Sequence, residues 1–271
     1  MKPRKPGLEF QDALPHWCAN PEVAQINNAG SFSLPYVEKY LNRVMLKAKE
    51  TLTGDEHARL RADIDLFIKQ ESNHYRQHRL FNNKLEADGY TSVTPVGDRL
   101  QKDYDDFLAN KSLLFNAAYC EGFESLGIIQ TEFFFEQIDD LLVGADPRVV
   151  ALWKWHLAEE YEHRSVCFDV HRAVHAKARG GFSYFSRLGG FFLALRHLGK
   201  FGKDASTALL AIDRARMTPE QLRASLESEK AYRRRLSRFA LPRLLKVLSP
   251  FYNPMRKRAP KGAAAFLLQY E

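Results

Sequence analysis

Cysteine is scarce in this chain: there are three in 271 residues, at positions 18, 120 and 167, without paired spacing. A disulfide framework is excluded, and the usage suits a reducing cytoplasm. Strand signals are absent throughout, as is any repeat of solenoid period. Long apolar runs are missing too. The N-terminus, MKPRKPGLEF, carries charge with no apolar run behind it, so no signal peptide is expected. The most apolar and aromatic stretch, FSYFSRLGGFFLALRHLGKFG over residues 182–202, is broken by Arg187, Arg196 and Lys200. A bilayer span needs about 20 mostly apolar residues, so this stretch is not expected to cross a membrane. These absences leave an all-α chain, long for one bundle and able to bury a sizeable core with further helices appended.

What the chain does have is a set of helical seams. Alternating steps of three and four residues mark one buried stripe of a helix. One stripe runs Ile64, Phe67, Glu71, His74, His78, Phe81, Leu85, so a Glu and two His point where Ile, Phe and Leu point on either side. A second runs Val149, Trp153, His156, Glu160, His163, Cys167, Val170, Val174. Two simpler seams are Leu34, Glu38, Leu41, Met45, Ala48, Leu52 and Leu114, Ala118, Glu121, Ser125, Ile128. The order Glu38, Glu71-x-x-His74, Glu121, Glu160-x-x-His163 is how a four-helix bundle presents carboxylates and imidazoles to two metal ions.

One Glu-x-x-His in a helix is common and usually marks a solvated pair or a satisfied core His. Two of them, preceded by Glu at distances of 33 and 39 residues, fit a helix, a short loop and half a return helix each time. Buried charge is costly unless paired or bound to metal, so four insertions at matched depth must converge. The expected ligands are Glu38, Glu71, His74, Glu121, Glu160 and His163. His78 and His156 lie one turn away and are further ligands or hydrogen-bond partners that fix a ligand, the second role being preferred. Glu124 is one turn from Glu121 and replaces or supplements it. Glu132 is about 16 Å along the axis from Glu121, too far to share the site. Glu159 and Glu162 read as solvated or ion-paired, Cys120 and Cys167 as small buried hydrophobes, and Asp169, Tyr119 and Tyr161 as packing.

Caps and breakers divide the chain. Ser33 with Pro35 opens the first core helix, Thr53 with Glu56 forms a capping box for the second, and Gly89 closes it before the loop TSVTPVGD. Asp146-Pro147 starts the fourth helix, which ends at Gly180-Gly181. The layout is an N-terminal extension (1–32), a ferritin-like four-helix bundle of two hairpins joined by a longer crossover (33–180), and additional C-terminal helices (181–271). Between Arg196 and Lys261 there are 17 Lys or Arg against 5 Asp or Glu, net +12 in a chain of total +7, which leaves −5 for the remainder. This basic, aromatic region suits contact with an anionic membrane surface, and equally a packing helix with a solvated basic face. Nucleic acid is disfavoured because no recognition motif accompanies Arg233, Arg234 and Arg235.

The strings FIKQESNHYRQH (67–78) and WKWHLAEEYEHRSVCFDV (153–170), with LPYVEKY before them and YCEGFES between, resemble the bacterial family described as predicted metal-dependent hydrolases, a branch of the ferritin-like superfamily. The resemblance spans roughly residues 34–174. It is looser at Glu121, where the family often carries Glu-His and this chain has Glu121-Gly122, so Glu121 and Glu124 both stay open as the third helix's ligand. It implies a di-metal carboxylate site.

Chemistry adds an expectation of its own. Four carboxylates with two His form a hard, oxygen-rich set suited to two Fe ions, with Mn or Zn as alternatives. That points to a non-haem di-iron oxygenase or oxidase that hydroxylates or desaturates a hydrophobic small molecule or lipid. The alternatives are a metal-dependent hydrolase on the same residues and a non-catalytic metal-binding bundle. Expected partners are the hydrophobic substrate, an unidentified electron donor and an anionic membrane surface, with a homodimer left open. The expected location is the cytoplasm, with attachment to the inner face of the membrane left open.

Overall fold

The computed structural model describes residues 1–270, so the last residue of the 181–271 region lies outside them. Its helices are α1 (Pro21–Thr51), α2 (Ala58–Ala87), α3 (Thr94–Asn110), α4 (Leu113–Glu136), α5 (Pro147–His163), α6 (Val166–Arg179), α7 (Tyr184–Arg214), α8 (Pro219–Val247) and α9 (Ala263–Leu267). No strand occurs among the described residues, as the all-α expectation requires. No helix among them is long and apolar enough to cross a membrane.

The helical core follows from the seams. α1 pairs with α2, and α4 pairs with α5 and α6, which also pack on α2. The stripe from Val149 to Val174 is buried along its whole length. It does not belong to one helix, however. A turn at Arg164–Ser165 separates α5 from α6, where Arg164 sends Nη1–H to the Tyr161 carbonyl at 2.6 Å and Nε–H to the Pro254 carbonyl at 3.1 Å. The seam survives because α6 resumes with the same face inward, and it ends at Gly180 with φ +66°.

Two expected starts are corrected. α1 begins twelve residues before Ser33, at Pro21, where Asn20 Oδ1 accepts from the Val23 amide at 3.1 Å. Pro35 therefore lies inside the helix and supplies no N–H for the Ser31 carbonyl. Asn82 Nδ2 donates to that carbonyl instead, at 3.0 Å, so the break in the ladder is healed from α2. The Thr53/Glu56 capping box is likewise absent: a 3₁₀ turn at Asp55–His57 leads into α2 at Ala58, and Arg61 holds the Leu52 and Gly54 carbonyls. α2 ends as expected, with Gly89 at φ +98° and the Tyr90 amide bonded back to the Leu85 carbonyl. The stretch read as a loop, TSVTPVGD, is a 3₁₀ turn and the first residues of α3, which crosses α1.

α7 lies along α4 and α1, and α8 covers α4 beside it. Backbone meets backbone there. A Cβ on Gly190 would stand 2.1 Å from the Ala118 carbonyl oxygen, and one on Gly122 would stand 2.7 Å from the Gly190 carbonyl oxygen. Part of the basic region is spent on ion pairs: Arg235 with Asp140, and Arg243 and Lys257 with Glu132, tie this layer to the rest of the fold, while Arg214 joins α7 to Glu229 of α8 and Arg233 pairs with the same Glu229 along α8. Gly190→Ala should destabilise the protein by about 1–3 kcal/mol in urea unfolding, the range for overpacking. Gly189→Ala, where a Cβ meets nothing within 4 Å, should not.

Candidate metal centre

Seven side chains from four helices converge inside the core. Glu38, His74, His156 and Glu160 form one group able to hold a metal ion, and Glu71, Glu124, Glu160 and His163 form a second. In each group the offered ligand atoms lie within 4.8 Å of one another, and Glu160 belongs to both. None of the seven is more than 2% exposed. His163 Nε2 is 3.2 Å from Glu71 Oε1, 3.2 Å from Glu160 Oε2 and 3.5 Å from Glu124 Oε2. His156 Nε2 is 3.1 Å from Glu160 Oε1, and His74 Nδ1 is 3.5 Å from both Glu71 Oε1 and Glu160 Oε1. The His74 and His156 rings stack at 4.4 Å.

Each imidazole is held from behind. His74 Nε2–H donates to Glu159 Oε2 at 3.0 Å, which leaves Nδ1 facing the carboxylates. His163 Nδ1–H donates to Gln70 Oε1 at 3.1 Å, and Gln70 in turn donates to Glu162 Oε2 at 2.9 Å. His156 ends a longer chain. The Ser31 hydroxyl donates to Asn82 Oδ1 at 2.6 Å and so accepts from His78 Nδ1 at 2.8 Å; His78 Nε2 then accepts from His156 Nδ1 at 2.9 Å. That network assigns the His156 lone pair to Nε2, the atom beside Glu160. Such partners fix a ligand's tautomer and ring orientation.

Sequence reasoning placed Glu38, Glu71, His74, Glu160 and His163 here, and the structure brings them together. His156 joins the first group and His78 stands behind it. On the third helix Glu124 enters the cluster and Glu121 does not. Glu121 Oε1 accepts from Ser125 at 3.0 Å and faces Arg187 Nη1 at 3.8 Å, on the side toward α7. The stripe through Glu121 misled because α4 is buried on several faces, under α7 and α8 as well as inside the bundle, so burial periodicity does not single out the inner face. Glu159, read as solvated or ion-paired, is fully buried against His74 and paired with Arg4. Gln70 was not singled out at all; its only signal is its place beside Glu71.

The donor set fits metal ions. Among the described residues, both oxygens of Glu38, Glu71 and Glu124, with Glu160 Oε1 and His74 Nδ1, are buried without a hydrogen-bond partner. Burial raises the Glu38 and Glu71 carboxyls, helped by neighbouring carboxylates, and lifts Glu124 to about 8. Burial also opposes charge on Glu160, His74 and His163, but there the contacts win. His163 and the other imidazoles pull Glu160 well below the usual range, and the carboxylates hold His74 and His163 well above theirs. His156 falls to about 4 and His78 well below its normal value, through burial and cationic neighbours. Without cations the cluster carries protons on carboxyls and on two imidazoles, and bound cations would replace them.

Two outcomes follow. Glu124→Gln should lower the metal bound after dialysis against Zn²⁺ or Mn²⁺, whereas Glu121→Gln should retain it; elemental analysis decides, and equal loss would sink the assignment. Metal-stripped protein should also lose stability as pH rises from 6.5 to 8. Glu124 in the fold, at about 8, and His74 and His163, above their usual value, all hold protons there that the unfolded chain has released. The slope is on the order of 1 kcal/mol per pH unit for each such proton, read from urea midpoints at the two pH values.

Comparison with known proteins adds one match. A family described as predicted metal-dependent hydrolases covers residues 2–258. No curated protein and no solved structure matches the chain. The family match overturns the expectation of a di-iron oxygenase or oxidase. That expectation rested on an oxygen-dominated donor set with two imidazoles, and the geometry supplies three, two of them in one group with two carboxylates. Such a mixed set suits the borderline-soft ions that hydrolases use. With nearly its whole length matched, the chain belongs to the family of predicted metal-dependent hydrolases.

Proposed function

We infer that the chain is a hydrolase whose centre holds two divalent cations, sharing Glu160. The observation that carries this reading is the single buried carboxylate common to both ligand groups. Charge agrees: the four carboxylates, when ionised, balance two divalent cations. Glu38, His74 and His156 would hold one ion with Glu160, and Glu71, Glu124 and His163 the other. Such ions supply Lewis acidity and make water nucleophilic near neutral pH.

The chain's own residues do the rest. Glu159, Gln70 and His78 orient the three imidazoles, so the lone pairs at His74 Nδ1, His163 Nε2 and His156 Nε2 all face the carboxylates. The apolar shell of Phe67, Trp153 and Trp155 around the cluster excludes bulk water, which strengthens every charge interaction inside it. In the reaction a water oxygen bonds to an acyl carbon, the carbon–oxygen or carbon–nitrogen bond breaks, and the leaving group departs with a proton.

Metal-stripped protein should not cleave nitrophenyl esters or anilides, Zn²⁺ or Mn²⁺ should restore turnover, and Glu160→Gln should abolish it. His78→Ala should keep the fold but weaken metal affinity about 10–100-fold, measured by competition with a chelating dye. Turnover that is indifferent to metal would refute the reading.

A further inference from the structure

A cavity of about 400 Å³ lies between α1, α4, α5, α7 and α8, and its lining includes His156 and Glu160 of α5. It joins the buried cluster to the outer helical layer. Its walls are mostly apolar, built from Leu34 on α1, Phe123 and Leu126 on α4, Leu195 on α7, and Leu236 and Leu244 on α8. Exposed Lys203 and Gln130 mark the outer end, and His156 and Glu160, each 2% exposed, mark the inner one. Glu160 Oε1 at that inner end is buried and has no hydrogen-bond partner among the described residues.

Four glycines line the same space, Gly30, Gly127, Gly199 and Gly202, all inside helices and none at a positive φ. Helix geometry therefore does not require them, and each makes its helix less favourable than alanine would. What they leave is room. A Cβ at Gly199 or Gly202 meets nothing within 4 Å, and one at Gly127 meets only Glu160 Oε2, at 3.5 Å, whereas one at Gly30 would press on the Trp153 ring at 3.3 Å. Longer side chains at Gly199 and Gly202 would extend into the cavity they line.

We propose that this cavity is the substrate passage for an ester with a linear, medium-length apolar chain, which lies along the leucine-lined walls while its carbonyl reaches the His156–Glu160 end. The proposal rests on the hydrolase reading and gives it a substrate class. The volume holds about a dozen water-sized groups at roughly 30 Å³ each, which sets the chain length the passage takes. Water adds its oxygen to the acyl carbon and the ester C–O bond breaks. The alcohol leaves with a proton, so the products are a carboxylic acid and an alcohol. Each added methylene removes apolar surface from water and should raise kcat/KM about fourfold until the passage is full.

The test uses the full chain loaded with Zn²⁺ and reads binding apart from turnover. Trp153 lines the cavity, so a decanoate brominated on its chain should quench tryptophan fluorescence. Gly202→Leu and Gly199→Leu, which meet no neighbouring atom at the Cβ, should each weaken that quenching tenfold or more without loss of zinc. They should lower the ratio of kcat/KM for nitrophenyl decanoate over nitrophenyl acetate by a similar factor. Absence of quenching in the unsubstituted protein, or quenching unchanged in both variants, overturns the passage. Quenching that the variants weaken, with no ester turned over by any form, supports the passage and refutes the hydrolase reading alone.

Discussion

Four carboxylates buried at one depth repel one another, and no arrangement of apolar side chains relieves that repulsion. Everything near the cluster can be read as a response to it. Three imidazoles stand among the carboxylates, protons are retained where water would have removed them, and the remaining lone pairs point at positions a cation would fill. A core of this kind is less stable by itself than one filled with leucine and is suited to having its charge completed from outside.

The two halves of the cluster are not equivalent. The group with Glu38 offers two nitrogens and two carboxylates, whereas the group with Glu71 offers one nitrogen and three carboxylates. Ions of different softness would therefore sort between them, the more nitrogen-rich half favouring the softer ion. The cavity reaches Glu160, which both halves share, and His156, which belongs only to the nitrogen-rich half.

Five of the seven converging residues were legible in the sequence as polar interruptions of apolar seams: on α2 one face alone turns inward, and on α1 and α5, which are buried on several faces, the Glu falls in the unbroken three- and four-residue steps of the seam. His156 was legible as a candidate but not as a group member, since spacing does not say how far a ring reaches. α4 defeated the same method. It is covered by α7 outside and by α5 and α6 inside, so the seam favoured Glu121 and left Glu124 as its replacement or supplement, and the close approach at Gly122 and Gly190 shows which face meets α7. The start of α1 was missed because Ser33-x-Pro35 imitates a cap, and the compensation for Pro35 comes from Asn82, 47 residues further along the chain. Pairings across the fold, such as Glu159 with His74, leave no local trace.

The N-terminal segment reaches into this arrangement. The Arg4 amide and guanidinium both donate to Glu159 Oε1, at 3.0 and 3.3 Å, and Asn73 Nδ2 holds the Arg4 carbonyl. Glu159 is the group that orients His74. Those partners are 155 residues apart, so at 5–20 residues per second Arg4 waits roughly 8–30 s for Glu159 to be synthesised. The cluster is thus completed by a segment that closes over a helix made long after it.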